Sequence, residues 1–279
     1  VGLRCRAAQL TEGDRRRPTA VAIYIFVMLS SLALACLAFV AGLETPPSPA
    51  LAVDLPAQLA RLDALHAHRD EPAALAEARR ISDATLAAAP NDYGALWRAA
   101  RVRFAESDVP TQSNDERSRL GKEAYDLAER AIAVNPNGVA GQYWAALGVG
   151  NYARGMGIMR ALSNGIESKF KTPLERATAL DIRYDHGQIP VIWAAYWLQL
   201  PWPKRDRDKA AEEVRRALQI NPANLRARLY QARIAADEDR PAEAKALLAE
   251  IAAAPVGRYD APEERRVKVE AAELAKKLH

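Results

Sequence analysis

Few residues in this 279-residue sequence are spaced for chemistry. Asp181, Asp185 and His186 form the one cluster with acid–base potential, two carboxyls beside an imidazole. They follow a helical pattern and precede Gly187, where Asp and His suit a turn and the cap of the next helix. His66 and His68 stand two apart with Asp70 behind them, a spacing that splits them across the faces of a helix and fails to assemble metal ligands. The two cysteines, Cys5 and Cys36, precede residue 44, so the rest of the chain holds no thiolate for structural zinc. No nucleophile elbow, phosphate-binding glycine loop, zinc signature or dinucleotide-binding glycine pattern occurs. The expectation is a protein with no catalytic residues, no metal and no cofactor, which acts by binding.

Binding would fall to aromatic and polar side chains. Trp97, Tyr143, Trp144, Tyr152, Trp193, Tyr196 and Trp197 concentrate on the first helices of successive helical pairs. Such helices line the concave face of a solenoid, where rings hold a peptide or an apolar ligand. The same spacing also serves a core between repeats, which needs large side chains to fill it. Asn151 and Arg154, with Arg160, lie in a glycine-bearing stretch and face either a channel or solvent. The candidate groove is Trp97, Tyr143, Trp144, Asn151, Arg154, Trp193, Tyr196 and Trp197. On that reading Trp144→Ala and Trp197→Ala weaken binding and leave the fold intact.

The elements that would position these residues repeat. Four alanine-rich amphipathic segments close alike, at Ala89-Pro90-Asn91, Asn135-Pro136-Asn137, Asn221-Pro222-Ala223 and Ala254-Pro255. Proline stops each, because it lacks an N–H and clashes with the preceding turn. The prolines are 46, 86 and 33 residues apart, which is one, two and one helical-hairpin repeats of about 34 residues with insertions. Ala124 and Ala131, and Ala210 and Ala217 in the same register, would let paired helices approach closely. Leu174 to Leu180 reads as the second helix of a third unit, Gly148 to Lys171 as an unusually long glycine-bearing stretch before it, and Glu106 to Leu120 as a polar surface loop. Pro262 to Leu278, acids first and lysines last, suits a capping helix with a polar outer face. With only 14 glycines and 4 phenylalanines, the fold class is all-α: a tetratricopeptide-like (TPR-like) solenoid of about five hairpins plus a C-terminal cap.

A net charge of +4 invites a nucleic-acid reading, but residues 1–43 carry +3 of it, which leaves no broad basic surface on the body. Residues 20–43 are uncharged and long enough to span a bilayer as a single transmembrane helix. The arginines before them place the N-terminus in the cytoplasm and the remainder across the membrane. An uncleaved anchor, a signal peptide cleaved near Ala41-Gly42 and a lipoprotein signal ending at Cys36 all fit this segment. The first residue is Val1, so the sequence is a fragment or uses an alternative start codon. The expected organisation is a basic cytoplasmic segment at 1–19, the anchor or signal at 20–43, a Pro-rich linker at 44–56 and the solenoid at 57–279, in a bacterial cytoplasmic membrane with the C-terminal domain in the periplasm.

Several stretches resemble the T-component (TatT) family of TRAP-transporter-associated periplasmic proteins. They are Leu96-Trp97-Arg98-Ala99-Ala100-Arg101, Tyr125 with Ala128 to Pro136, Gln142-Tyr143-Trp144, Leu180-Asp181 with Tyr184 to Gly187, and Leu200-Pro201-Trp202-Pro203 through Asn221-Pro222. The regulator-of-microtubule-dynamics family has a similar pattern. The T-component resemblance implies a helical protein outside the cytoplasmic membrane that partners a solute-binding protein and handles a small hydrophobic ligand. Assembly of a periplasmic or membrane protein complex, or carriage of a small hydrophobic ligand by the chain itself, are the alternatives the layout allows.

Overall fold

A computed structural model describes residues 54–278. The segments at 1–19 and 20–43 and the linker up to residue 53 lie outside the described residues, and with them the transmembrane expectation; among the described residues no helix is long and apolar enough to cross a membrane. Among the described residues twelve α-helices follow one another: α1 (Leu55–His66), α2 (Pro72–Ala88), α3 (Tyr93–Ser107), α4 (Asn114–Val134), α5 (Val139–Met156), α6 (Ile158–Ser163), α7 (Ile166–Asp181), α8 (Tyr184–Gln199), α9 (Arg207–Ile220), α10 (Leu225–Asp237), α11 (Pro241–Ala253) and α12 (Ala261–Ala275). They stack as five antiparallel hairpins, α1/α2, α3/α4, α5/α7 with short α6 between, α8/α9 and α10/α11, and α12 ends the array against α10 and α11. The body is an all-helical TPR-like solenoid.

Local chemistry sets the ends. Pro56, Pro72, Pro241 and Pro262 each occupy a first turn, where the missing N–H costs nothing. Asp92 and Asn224 accept hydrogen bonds from the backbone amides of Ala95 at 2.8 Å and Ala227 at 3.0 Å, and so cap α3 and α10. At the Asn-Pro closures the asparagine side chain receives the amide two residues on, Asn135 from Asn137 at 3.2 Å and Asn221 from Ala223 at 3.0 Å, which turns the chain into the next hairpin. The alanines read as close-approach positions, Ala124, Ala131, Ala210 and Ala217, are fully buried.

One connection is shorter than its sequence reading, and the glycine-bearing stretch takes a definite form. The supposed loop from Glu106 to Leu120 is only Asp108 to Ser113, with α4 beginning at Asn114. Ser113 accepts from the Glu116 amide at 3.2 Å, a cap whose Ser-x-x-Glu signature stands in the sequence. The stretch from Gly148 to Lys171 is helical almost throughout: Gly148 and Gly155 serve close contact, and only Gly157 and Gly165, at φ of 94° and 67°, stand at breaks between helices. Gly148 of α5 faces Gly121 of α4, and a Cβ on Gly148 would lie 2.6 Å from the Tyr125 backbone nitrogen. The largest core cluster, around Ala128, Trp144, Leu174 and Ile189, sits where α3, α4, α5, α7 and α8 meet.

Candidate functional site

The concave side of the stack encloses a cavity of 1410 Å³. Helix α5 supplies its floor: Trp144, Leu147, Asn151 and Arg154 recur every three to four residues and so share one face. Phe104 leans on Trp144 with ring centroids 5.6 Å apart, and Phe170 of α7 stacks on Tyr196 of α8 at 5.3 Å. The opposite wall comes from α10 and α12, whose Arg226, Arg233, Glu263, Arg266 and Glu270 face inward. Glu263, Arg266 and Glu270 form a helical stripe directed at the cavity, so the inward face of the terminal helix is charged.

That helix also closes the array. Arg69, after α1, binds Asp260 through two bonds of 2.8 and 2.6 Å. Arg265 binds Asp70 at 2.7 and 3.0 Å. Asp108 receives Arg266 and, at 3.0 Å, Arg154, while Asn151 donates to Ser107 at 2.7 Å. Burial pushes the Asp108 carboxyl up, but Arg266 and Arg154 outweigh it and hold it below the usual range. Glu270 behaves alike: burial is outweighed by Arg226, Arg266 and Arg233, and its carboxyl falls to about 2.

A second polar zone lies between α5 and α8. The Tyr143 hydroxyl donates to Asp185 at 2.6 Å. Asp185, His186 and Gly187 open α8 in the left-handed region, with φ of 52°, 57° and 80°. Side chains other than glycine rarely adopt that conformation, which concentrates at functional sites. The expected helix cap at Asp185 is therefore not formed. The turn delivers its carboxylate to the cavity wall instead, while Asp181 accepts the Arg183 amide at 2.9 Å and makes the turn alone. Burial, then the charge of Asp260, raises the Asp185 carboxyl against the pull of Tyr143. Burial and Asp185 hold the Tyr143 hydroxyl well above its ordinary value, so it stays a donor. Nearby His66 is held well below 6.5 by burial and by the charges of Arg101 and Arg69, and is neutral at pH 7.

Of the eight candidate groove residues, Tyr143, Trp144, Asn151, Arg154 and Tyr196 line this cavity. The other three do not. Trp97 packs at the flank of the main core beneath Arg98, 4.1 Å from its ring. Trp193 is in the core and donates to Thr178 at 3.0 Å. Trp197 covers a separate cluster under Lys209, since the one-residue offset from Tyr196 turns it about 100° around the helix. Trp144 lines the cavity and yet is only 5% exposed within the core, so its truncation would open a hole there; the expectation that Trp144→Ala spares the fold does not follow. Its Nε1 lies near the Tyr184 hydroxyl without an aligned hydrogen bond. Tyr152 packs in a satellite cluster and Arg160 is exposed. His68 pairs with Glu71 at 3.1 Å on the surface, and among the described residues no three metal-ligating side chains converge. Sequence reasoning missed the cavity positions of His66, Arg69 and Asp185 and the inward charges of α10 and α12. The three-to-four spacing of Glu263, Arg266 and Glu270 was the available signal.

The model of the family "Regulator of microtubule dynamics protein 1-3" matches residues 58–188. Regulator of microtubule dynamics protein 1 of Pongo abelii is 26% identical over 146 residues, covering 47% of this chain and 46% of that protein. The Bos taurus protein of the same name is 28% identical over 116 residues, covering 41% and 36%. The match thus spans less than half the length of either relative. A thermophilic TPR protein of Thermus thermophilus superposes with a TM-score of 0.59 at 19% identity, over 78% of this chain and 97% of its own, and shows the fold. These findings overturn the resemblance to the TRAP T-component family: of the marks that suggested it, Trp97, Tyr143-Trp144 and Asp181 to Gly187 lie inside the matched 58–188 segment, and only Leu200 to Pro222 lies beyond it. The expected solute-binding-protein partner falls with it. In its first five hairpin helices and through α7 into the Asp185 turn, this TPR-like solenoid is similar to the regulators of microtubule dynamics.

Proposed function

We propose that the protein is a non-catalytic interaction module that holds an extended segment of a partner protein in its concave cavity. The volume of that cavity carries the reading. At 1410 Å³ it exceeds the roughly 300–1,000 Å³ typical of small-molecule pockets. It also presents stacked rings and charged groups along one length, the pattern that anchors several successive side chains. A preformed trough limits the ordering cost to the partner's side. The relatives' name speaks of regulating microtubule dynamics; a partner-binding solenoid is consistent with such a role, and no partner is carried over from it. Tethering through residues 20–43 belongs to the same proposal, with the solenoid on the far side of a cytoplasmic membrane. Resistance of the chain to alkaline extraction, and protease access to the solenoid only from the outer side, would test the tether.

The cavity reading is tested by photo-crosslinking in cells. A benzoyl-phenylalanine at Leu147 or Tyr196, inside the trough, should form adducts with a protein segment. The same group at Val134, on the exposed side, should not. Adducts of lipid or small-molecule mass from the inner positions would favour a carrier of a hydrophobic ligand. Adducts from neither inner position would remove the cavity from consideration.

A further inference from the structure

Eight carboxylates line the cavity, and seven of them hold an arginine or lysine within 3.0 Å. Asp185 is the exception among the described residues. Its one side-chain partner is the neutral hydroxyl of Tyr143. Arg69, the arginine whose charge reaches Asp185, is engaged by both oxygens of Asp260 and by the His66 carbonyl at 3.2 Å. His186 turns its ring to Tyr259, with centroids 5.8 Å apart. A carboxylate placed in a largely dry wall without a cation is costly, and the backbone here adopts a left-handed turn to put it there. Around it stand the rings of Tyr143 and Tyr184, 5.0 Å apart, with Trp144 edge-on to Tyr143 at 4.9 Å. Aromatic faces beside an unpaired carboxylate attract an organic cation through charge and through the ring quadrupole.

We infer that Asp185, with Tyr143 and Trp144 beside it on the cavity wall, is the receptor for an ammonium group on the molecule that enters the cavity. The group is carried by a lysine side chain of a partner segment or by a small organic amine. The inference rests on the cavity being a binding site, and it adds the chemistry of one subsite. The ammonium would replace the missing counter-ion, donating to the Asp185 oxygen that Tyr143 leaves unused while its methylene neighbours lie against the rings.

The test titrates the full chain in lipid nanodiscs with two matched pairs of probes, followed by ligand-observed NMR. One pair is butylammonium and butanol. The other is an acetyl-Ala-Lys-Ala-Ala amide and the same peptide with its lysine Nε acetylated. Each ammonium probe should bind about tenfold tighter than its neutral mate, the worth of a charge-assisted hydrogen bond. Asp185→Asn should abolish that preference and leave the neutral probes unchanged. Asparagine tolerates the left-handed backbone and keeps an acceptor for Tyr143, so the variant preserves the turn. Tyr143→Phe offers a second variant, in which the preference should persist but weaken. A larger preference in the peptide pair identifies lysine as the source, and a larger one in the butyl pair identifies a free amine. No preference in either pair, or the same preference in Asp185→Asn, overturns the inference. Crosslinks from Leu147 could still succeed in that case, so failure of this subsite is separable from failure of the cavity as a whole.

Discussion

The solenoid is held together in two unlike ways. Between α4 and α5 the helix backbones touch. A Cβ on Gly121 would sit 2.4 Å from the Tyr152 nitrogen, and one on Gly155 would sit 2.4 Å from the Asn114 carbonyl oxygen. Between the two ends of the array, α12 meets the α1–α3 region through arginine–carboxylate pairs, Arg69–Asp260, Arg265–Asp70 and Arg266–Asp108. The apolar residues of α12, Val267 and Ala271, point elsewhere, into the cluster with α10 and α11. The contrast teaches what each contact is for. Dispersion between close backbones is short-ranged and intolerant of change, which suits a permanent joint. Partly solvated ion pairs are weak one by one and respond to salt and pH, which suits a seam over a cavity that must admit something.

The largest expected effect comes from the joint. Gly148→Ala forces backbone apart, with the added methyl 2.6 Å from the Tyr125 nitrogen, and should cost about 2–3 kcal/mol in urea unfolding as an overpacked contact. A cost below about 1 kcal/mol would mean that the two helices separate easily and that the joint is no more rigid than the seam.

Next is the seam itself. Asp108→Asn removes the negative charge that Arg266 and Arg154 share and turns one of the two acceptor oxygens into an NH2 donor. It should lower global stability by about 1 kcal/mol, in keeping with a partly exposed pair network. Amide exchange over 261–275 should rise while α4 and α5 stay protected. Equal loss of protection in both places would make the body one cooperative unit and erase the distinction.

A smaller effect follows from acid. Seam carboxylates Asp70 and Asp108, and the adjacent Glu270, have folded-state values below their unfolded ones, with Glu270 at about 2. For Asp70 the Arg265 hydrogen bond is the main cause; for the other two, arginine charges outweigh burial. A lowered carboxyl stabilises fully above its unfolded value and loses that contribution as pH falls through its folded value. Protection of α12 should therefore be flat from pH 7 to about 5 and decline from roughly pH 4.5 toward 2, ahead of α4 and α5. A simultaneous decline of all helices at about pH 4 would count against a separable seam.

The joint and the seam also differed in how far the sequence revealed them. Alanine offsets and Asn-Pro closures mark hairpin packing, because steric fit is local and forces small residues at fixed spacing; Ala124 and Ala210 stand where that logic puts them. Gly148 and Gly155 marked only a glycine-bearing stretch, since glycine in a helix is unfavourable unless a neighbour needs the space, and the neighbours, Gly121 and Ser118, lie on another helix. The seam left no such mark. Arg69 and Asp260 are 191 positions apart, and with 39 basic and 35 acidic residues in the chain no pattern states which arginine meets which acid. The cavity was half legible for the same reason. Its aromatic floor on α5 follows from periodicity, whereas its charged wall exists only once the array curves far enough for α12 to reach α1.

The smallest effect concerns Asp185, and its sign is opposite to that of the seam. The groups that act on this carboxyl are Tyr143 from α5, His186 on its own turn, Asp260 from the start of α12 and Arg69 after α1, and it acts in turn on Tyr184. Burial and Asp260 raise it above its ordinary 3.8, outweighing Tyr143, His186 and Arg69. A carboxyl raised in the folded state binds a proton that the unfolded chain has already released, so stability falls as pH climbs from the unfolded value through the folded one. Above that window the deficit is constant. Asparagine carries no such deficit and accepts the left-handed backbone equally well. Asp185→Asn should thus melt higher than the parent at pH 7, by about 1–3 °C for a domain of this size. The two melting curves should converge by about pH 3, where the carboxyl is largely protonated in the folded and unfolded chains alike; losses in the seam affect both proteins alike and cancel. A lower melting temperature for the variant at pH 7 would mean that the ionised carboxylate stabilises the fold, and the strain at residues 185–187 would then need no ligand to explain it. A higher one would mark Asp185 as a position where stability is sacrificed for binding, the one acid of the cavity wall that works against the seam rather than for it.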